Sequence, residues 1–92
     1  MCIRDRCAAA QEKLASYGVQ ALGLPADVRD YDALAAAFKT AADAFGGLDI
    51  VIAGQAGNFY APAIGMSANG FRTIIEIDLI GTFSVFLSLI HI

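Results

Sequence analysis

Two short apolar runs separated by one helix-sized stretch do most to limit what this chain can become. Leu48–Ala53, LDIVIA, is apolar except for Asp49 and shows no alternation of apolar and polar side chains. Such a run reads as a strand covered on both faces in a parallel sheet. Val19–Leu24 reads as a second, shorter strand ended by Pro25. Between the two, Asp30 is placed to cap a helix whose Leu34, Phe38, Ala41, Ala42 and Phe45 recur on one stripe, and Gly46 and Gly47 end it. Upstream, Ala8–Tyr17 is rich in good helix formers, and Gly18 stands where a left-handed residue closes a helix.

The order helix, strand, helix, strand, loop, helix predicts an α/β fold with right-handed crossovers and a parallel sheet. Ser67 is placed to cap the last helix, which runs from about Ala68 to beyond Phe86. On a wheel of about 100° per residue, Phe71, Ile74, Ile75, Thr82 and Val85 share one side, while Ile77, Ile80 and Phe83 fall elsewhere. A helix apolar nearly all round is wedged between a sheet and another helix, here expected from a second subunit. Asp78 lies within the apolar stripe, where an unpartnered carboxylate is costly. It is either a structural acid bonded to Thr82 or a functional acid beside a pocket.

Composition narrows the partners. The 92 residues are 58% hydrophobic with a formal charge of -3, a pI near 4.7 and a mean hydropathy of +0.61. That suits a single domain or part of one, with greasy surface left for a partner. Six Lys plus Arg, unclustered in an acidic chain, lack the footprint that nucleic acid demands. The uncharged run Leu79–Ile92 has 14 residues, short of the roughly 18–20 of a membrane-spanning helix, so no membrane is expected. Cys2 and Cys7 have neither zinc nor disulfide-framework spacing, which points to a reducing, cytoplasmic setting without a metal. Met1–Cys7 carries charges where a secretory signal would be apolar. MCIRDR and SLIHI do not continue the neighbouring patterns, so the domain is expected to span 8–87, with 1–7 and 88–92 non-native and His91 without a role.

In open parallel sheets the ligand sits beyond the carboxyl ends of the strands. There the chain carries PADVRD, Pro25–Asp30, and the bare bend AGQAGNF, Ala53–Phe59. Gly54 and Gly57 either let backbone approach a flat or anionic group or simply turn the chain. Asp27 either accepts from the exocyclic amine of a purine or stabilises a turn. Arg29 either forks onto a phosphate or stays solvated. Asp49 faces solvent or pairs locally.

Together, DVRD after a strand, LDIVI before a Gly-containing bend and IDLIGTF in a long helix resemble the short-chain dehydrogenase/reductase superfamily. The resemblance covers about residues 8–87 and is nearest to 2,4-dienoyl-CoA reductases. It implies a partial, Rossmann-like, doubly wound parallel sheet of order 3-2-1-4-5-6, without its first two strands and its C-terminal half. The strands at Val19–Leu24 and Leu48–Ala53 are not neighbours in that order. They must therefore pair in a non-native way or leave open edges.

The resemblance further implies that Asp27 and Val28 hold adenine, and that Ala53, Gly54, Gln55, Ala56 and Gly57 pass beneath the adenosine ribose and nicotinamide. Arg29, Phe59, Ser67, Ala68 and Asn69 would line an acyl-CoA site. Ala53 and Gly54 stand where most members carry Asn, removing side-chain bonds but keeping the backbone path. Asp78 stands where the family's helix Asn usually does, and is implied to aid protonation or order a water. The implied cofactor is NADP(H) in preference to NAD(H), the implied substrate is an acyl-CoA, and the parent is expected to be a homo-oligomer through the last helix. Other readings are a reductase of another hydroxy or keto substrate, and a non-catalytic nucleotide- or partner-binding module.

Overall fold

The computed structural model describes residues 3–90; Cys2 and His91 lie outside them. Helix α1 spans Ile3–Ala15 and is followed by a turn at Gly18, whose φ of 81° is left-handed. Helix α2 spans Tyr31–Phe45. It opens as its sequence requires, with Asp30 Oδ1 accepting from Ala33 N at 3.1 Å. It closes at Gly46 with φ 79°, a conformation that costs a residue with a Cβ far more than glycine.

A 3₁₀ turn at Ala63–Gly65 leads to a long helical element in three parts. Helix α3 spans Ala68–Ile75, a π-helical segment spans Glu76–Ile80, and α4 spans Gly81–Ile90. The wide turn is marked by Gly81 N donating to Glu76 O, five residues back. Ser67 caps α3 by accepting from Gly70 N at 2.9 Å.

The core is the seam between α2 and α4, where Leu34 meets a face made of Gly81, Ser84, Val85 and Ser88. Small residues let the two helices approach closely, and Ser88 turns its hydroxyl back onto the carbonyls of Ser84 and Val85 at 2.8 and 2.9 Å. No polar group is therefore orphaned in that seam. Gly81 is needed for a second reason. A Cβ on it would lie 2.7 Å from Val28 Cγ2, so its absence lets the loop before α2 rest on α4.

The expected parallel sheet is not there. Among the described residues no β-ladder forms; Val19–Leu24 and Leu48–Ala53 run unpaired. A strand is held by a neighbour that takes its backbone donors and acceptors, and the two runs do not serve each other. Of the two alternatives left by their separation, open edges are what the structure holds. Leu48–Ala53 was also expected to be covered on both faces, whereas it covers one. Val51 and Ala53 turn toward the helices, while Ile50 and Ile52 are 83% and 87% exposed. The inward residues give the run a strand-like period of two that its sequence conceals, because the outward residues are apolar as well.

The last helical element also corrects a length. Counted as Ala68–Ile90 it has 23 residues, long and apolar enough to cross a bilayer by length and composition alone. The 14-residue uncharged run is shorter because Arg72, Glu76 and Asp78 interrupt the apolar stretch.

Candidate functional site

The bend Ala53–Gly57 lies against the π segment and the start of α4, and two side chains fix it there. Asp78 Oδ1 accepts from Gly57 N at 2.8 Å, and Gln55 Nε2 donates to Thr82 Oγ1 at 2.8 Å. Thr82 in turn donates its hydroxyl to the carbonyl oxygen of Asp78 at 2.6 Å. Asp78 is half-buried, and its carboxylate is engaged by Gly57 N rather than by the anticipated Thr82 hydroxyl. Its second oxygen, Oδ2, has no protein partner among the described residues. Gly57 allows this approach because its Cα faces Ile77, whose Cδ1 would be 3.2 Å from an added Cβ.

These bonds divide the bend into two sides. Gln55 and Gly57 turn inward, whereas Gly54 and Ala56 are exposed. A Cβ built on Gly54 would meet nothing within 4 Å, so this glycine fronts open space. Val28, Ala53, Gly54 and Gln55 line one end of a groove of about 400 Å³ that continues over Leu34 and Phe38. That volume lies in the range of small-molecule sites. The open side of the bend is therefore that of Gly54 and Ala56. The Gly57 amide is closed off, because Asp78 already occupies it.

Asp27 and Arg29 are engaged with each other. Arg29 Nε reaches Asp27 Oδ1 and Oδ2 at 3.0 and 3.1 Å, and Arg29 Nη2 reaches Oδ2 at 2.7 Å. Arg29 N also donates to Asp27 Oδ1 at 3.0 Å, which closes an Asx turn. These side-chain bonds, seconded by the backbone one, hold the Asp27 carboxyl below its ordinary value of 3.8, against a slight opposing effect of burial. The same pair pushes Arg29 upward, with Glu76 adding a weaker attraction. Both side chains are about half-exposed, at 50% for Asp27 and 45% for Arg29. Val28, between them, turns inward onto Gly81.

The residues expected at the acyl end gather at the start of α3. Phe59 lies over Gly70, its Cζ 2.9 Å from where a Cβ would stand, next to the Ser67 cap. Asn69 accepts from Thr73 through its backbone carbonyl at 2.9 Å. Ala68 borders a shallow depression of about 530 Å³ with Phe71, Arg72, Ile75, Glu76 and Ile80, on the outer side of the helix. Among the contacts not foreseen from the sequence are Gln55 with Thr82, Val28 with Gly81, and Asp78 with Gly57. A glycine inside an otherwise apolar helix was the available signal for the second; a lone Gln among small residues was a fainter one for the first.

The family model described as enoyl-(acyl carrier protein) reductase matches residues 2–91. The chain belongs to this family, within the short-chain dehydrogenases/reductases. A peroxisomal 2,4-dienoyl-CoA reductase of Arabidopsis thaliana is 44% identical over 72 residues, 78% of this chain and 24% of the plant protein. A peroxisomal 2,4-dienoyl-CoA reductase of Rattus norvegicus is 44% identical over 77 residues, 84% of this chain and 26% of the rat protein. A probable 2,4-dienoyl-CoA reductase of Bacillus subtilis is 47% identical over 57 residues, 62% of this chain and 22% of the bacterial protein. The chain thus spans about a quarter of the length of these relatives.

Proposed function

We propose that this chain is part of an NAD(P)H-dependent short-chain reductase that reduces an unsaturated acyl-CoA of the 2,4-dienoyl type. The supporting observation is that relatives from a plant, a mammal and a bacterium, 44–47% identical to it, all bear the name 2,4-dienoyl-CoA reductase. Bound nicotinamide would supply the hydride, NADP(H) in preference to NAD(H) given the reductive direction in the relatives' names. The exposed backbone of Gly54 and Ala56 would lie along the cofactor, next to Ala53 and Val28. Asp27 would reach the adenine amine once Arg29 releases it, and Arg29 would then turn to a phosphate of the CoA.

Phe59 and the turn Ser67–Ala68–Asn69 would border the acyl-CoA. Asp78 would use Oδ2 to order a water or pass a proton toward the dienolate that hydride addition leaves, while Oδ1 keeps the bend in place. The last helix, docked along α2 and carrying Arg72, Glu76 and Asp78, is read as a domain helix whose outer face meets another subunit. The proposed setting is cytoplasmic; the plant and rat relatives are named peroxisomal.

The test is loss of NADPH absorbance on addition of a 2,4-dienoyl-CoA, with a keto substrate as control. It is run on the 92-residue chain and on the same chain within its longer reading frame. The chain holds neither a Gly-rich phosphate turn nor a Tyr-x-x-x-Lys sequence, so turnover is expected only in the longer protein. A longer protein that binds NADPH yet reduces the keto substrate alone would replace the acyl-CoA reading.

A further inference from the structure

We infer that Gln55 is a positioning residue rather than a cofactor ligand. Through Thr82 it locks the glycine bend so that only the Gly54 and Ala56 side is offered to a ligand.

The direction of each hydrogen bond is dictated by chemistry. A threonine hydroxyl has one proton, and Thr82 commits it to the carbonyl of Asp78 at 2.6 Å. Toward Gln55 the same oxygen can only accept, so Gln55 must present its amide nitrogen, as it does at 2.8 Å. The relay ends on the main chain of Asp78, whose carboxylate holds Gly57 N two residues further along the bend. Thr82 and Asp78 thus grip the bend at alternate residues, Gln55 and Gly57, from one helical turn. Both grips act on the inward side and leave Gly54 facing open space.

The π segment carries Asp78, and α4 carries Thr82. With donor and acceptor five residues apart at Gly81 and Glu76, the turn is wider than an α turn and rotates α4 around the helix axis relative to α3. Four residues apart, the carboxylate of Asp78 and the hydroxyl of Thr82 both meet the bend. The Gln55 N–H that meets Thr82 is committed to that bond and ties the residue to the helix.

This assignment rests on the proposed nucleotide site only for the identity of the ligand, and the experiment separates the two. Amide exchange of Gly57 is followed by NMR in the chain, in Gln55→Leu, in Thr82→Val and in the double variant, with Thr82→Ser as the conservative replacement. Loss of one such bond should speed Gly57 exchange by about fivefold. The double variant should be no faster than either single one, because both remove the same grip, and Thr82→Ser should restore the slow rate. Gly57 exchange unchanged in both single variants, or additive in the double, would overturn the assignment, as would failure of Thr82→Ser to rescue.

NADPH titration of Gly54→Val in the longer protein then addresses the ligand. Weakened binding with Gly57 exchange unchanged fits an open Gly54 side. If NADPH binds none of these proteins while the exchange pattern holds, the lock stands and the nucleotide reading fails. Unimpaired NADPH binding by Gly54→Val, in a longer protein that does bind NADPH, would overturn the claim that the ligand uses that side.

Discussion

The carboxylate of Asp78 holds the backbone amide of Gly57 at 2.8 Å across 21 positions of sequence, joining the bare bend to the widest turn of the last helix. The bond is half-buried and pairs a backbone N–H that would otherwise face a gap.

Asp78→Ala removes the acceptor and leaves Gly57 N facing a gap. It should destabilise the chain by about 1–3 kcal/mol. Asp78→Asn keeps an acceptor oxygen at the same place and should cost less than half as much. Urea unfolding followed by far-UV circular dichroism checks both, and equal losses in the two variants would refute this account of the bond.

Arg29 holds the Asp27 carboxyl below its ordinary value of 3.8. A carboxyl lowered by folding adds stability above the unfolded-state pKa, and that contribution disappears as the pH falls through the folded-state pKa. The pair's contribution should therefore be fully present at neutral pH and fade below the usual carboxylate range. With half of each side chain in solvent, the effect on stability is small. An NMR titration of Asp27 in Arg29→Gln should return its midpoint toward 3.8.

Gly81→Ala sets two effects against each other. Alanine favours a helix over glycine by about 1 kcal/mol, whereas a Cβ 2.7 Å from Val28 Cγ2 and 3.1 Å from Val28 Cβ forces the loop outward. Overpacking of this kind costs about 1–3 kcal/mol, so the net change should be destabilising. Val28→Ala in the same molecule should reverse the sign, measured as a shift in the denaturation midpoint.

Ile50 and Ile52, 83% and 87% exposed on an unpaired run, form an edge on which another chain can pair. Ile50→Lys and Ile52→Lys should each lower light scattering of concentrated protein without changing its helical circular dichroism. Scattering unchanged in both would move the source of association elsewhere, with the apolar side of α4 the next place to look.

What the sequence disclosed is local. Asp30 and Ser67 cap their helices, and Gly46 closes α2, because each such feature depends on a few adjacent residues. What it concealed is relational. LDIVIA has the composition of a doubly covered strand, yet composition cannot say whether a neighbour exists, and here one side is bare. Asp27 and Arg29 carry the right chemistry for adenine and phosphate. Two residues apart in a tight turn, they also reach each other first. For Asp78 the wheel marked an acid on an apolar stripe correctly, but a uniform 100° step could not foresee a π segment, and so could not aim it at Gly57.

That wide turn behaves as one surplus residue carried inside an otherwise ordinary helix. Deleting a residue from it would leave a helix able to form all its own bonds, yet would swing everything before it by about 100° relative to α4. The last helix can therefore lose its purpose without losing its fold, and its shape would look healthy to any spectroscopic measure of helicity while its hold on the glycine bend was gone.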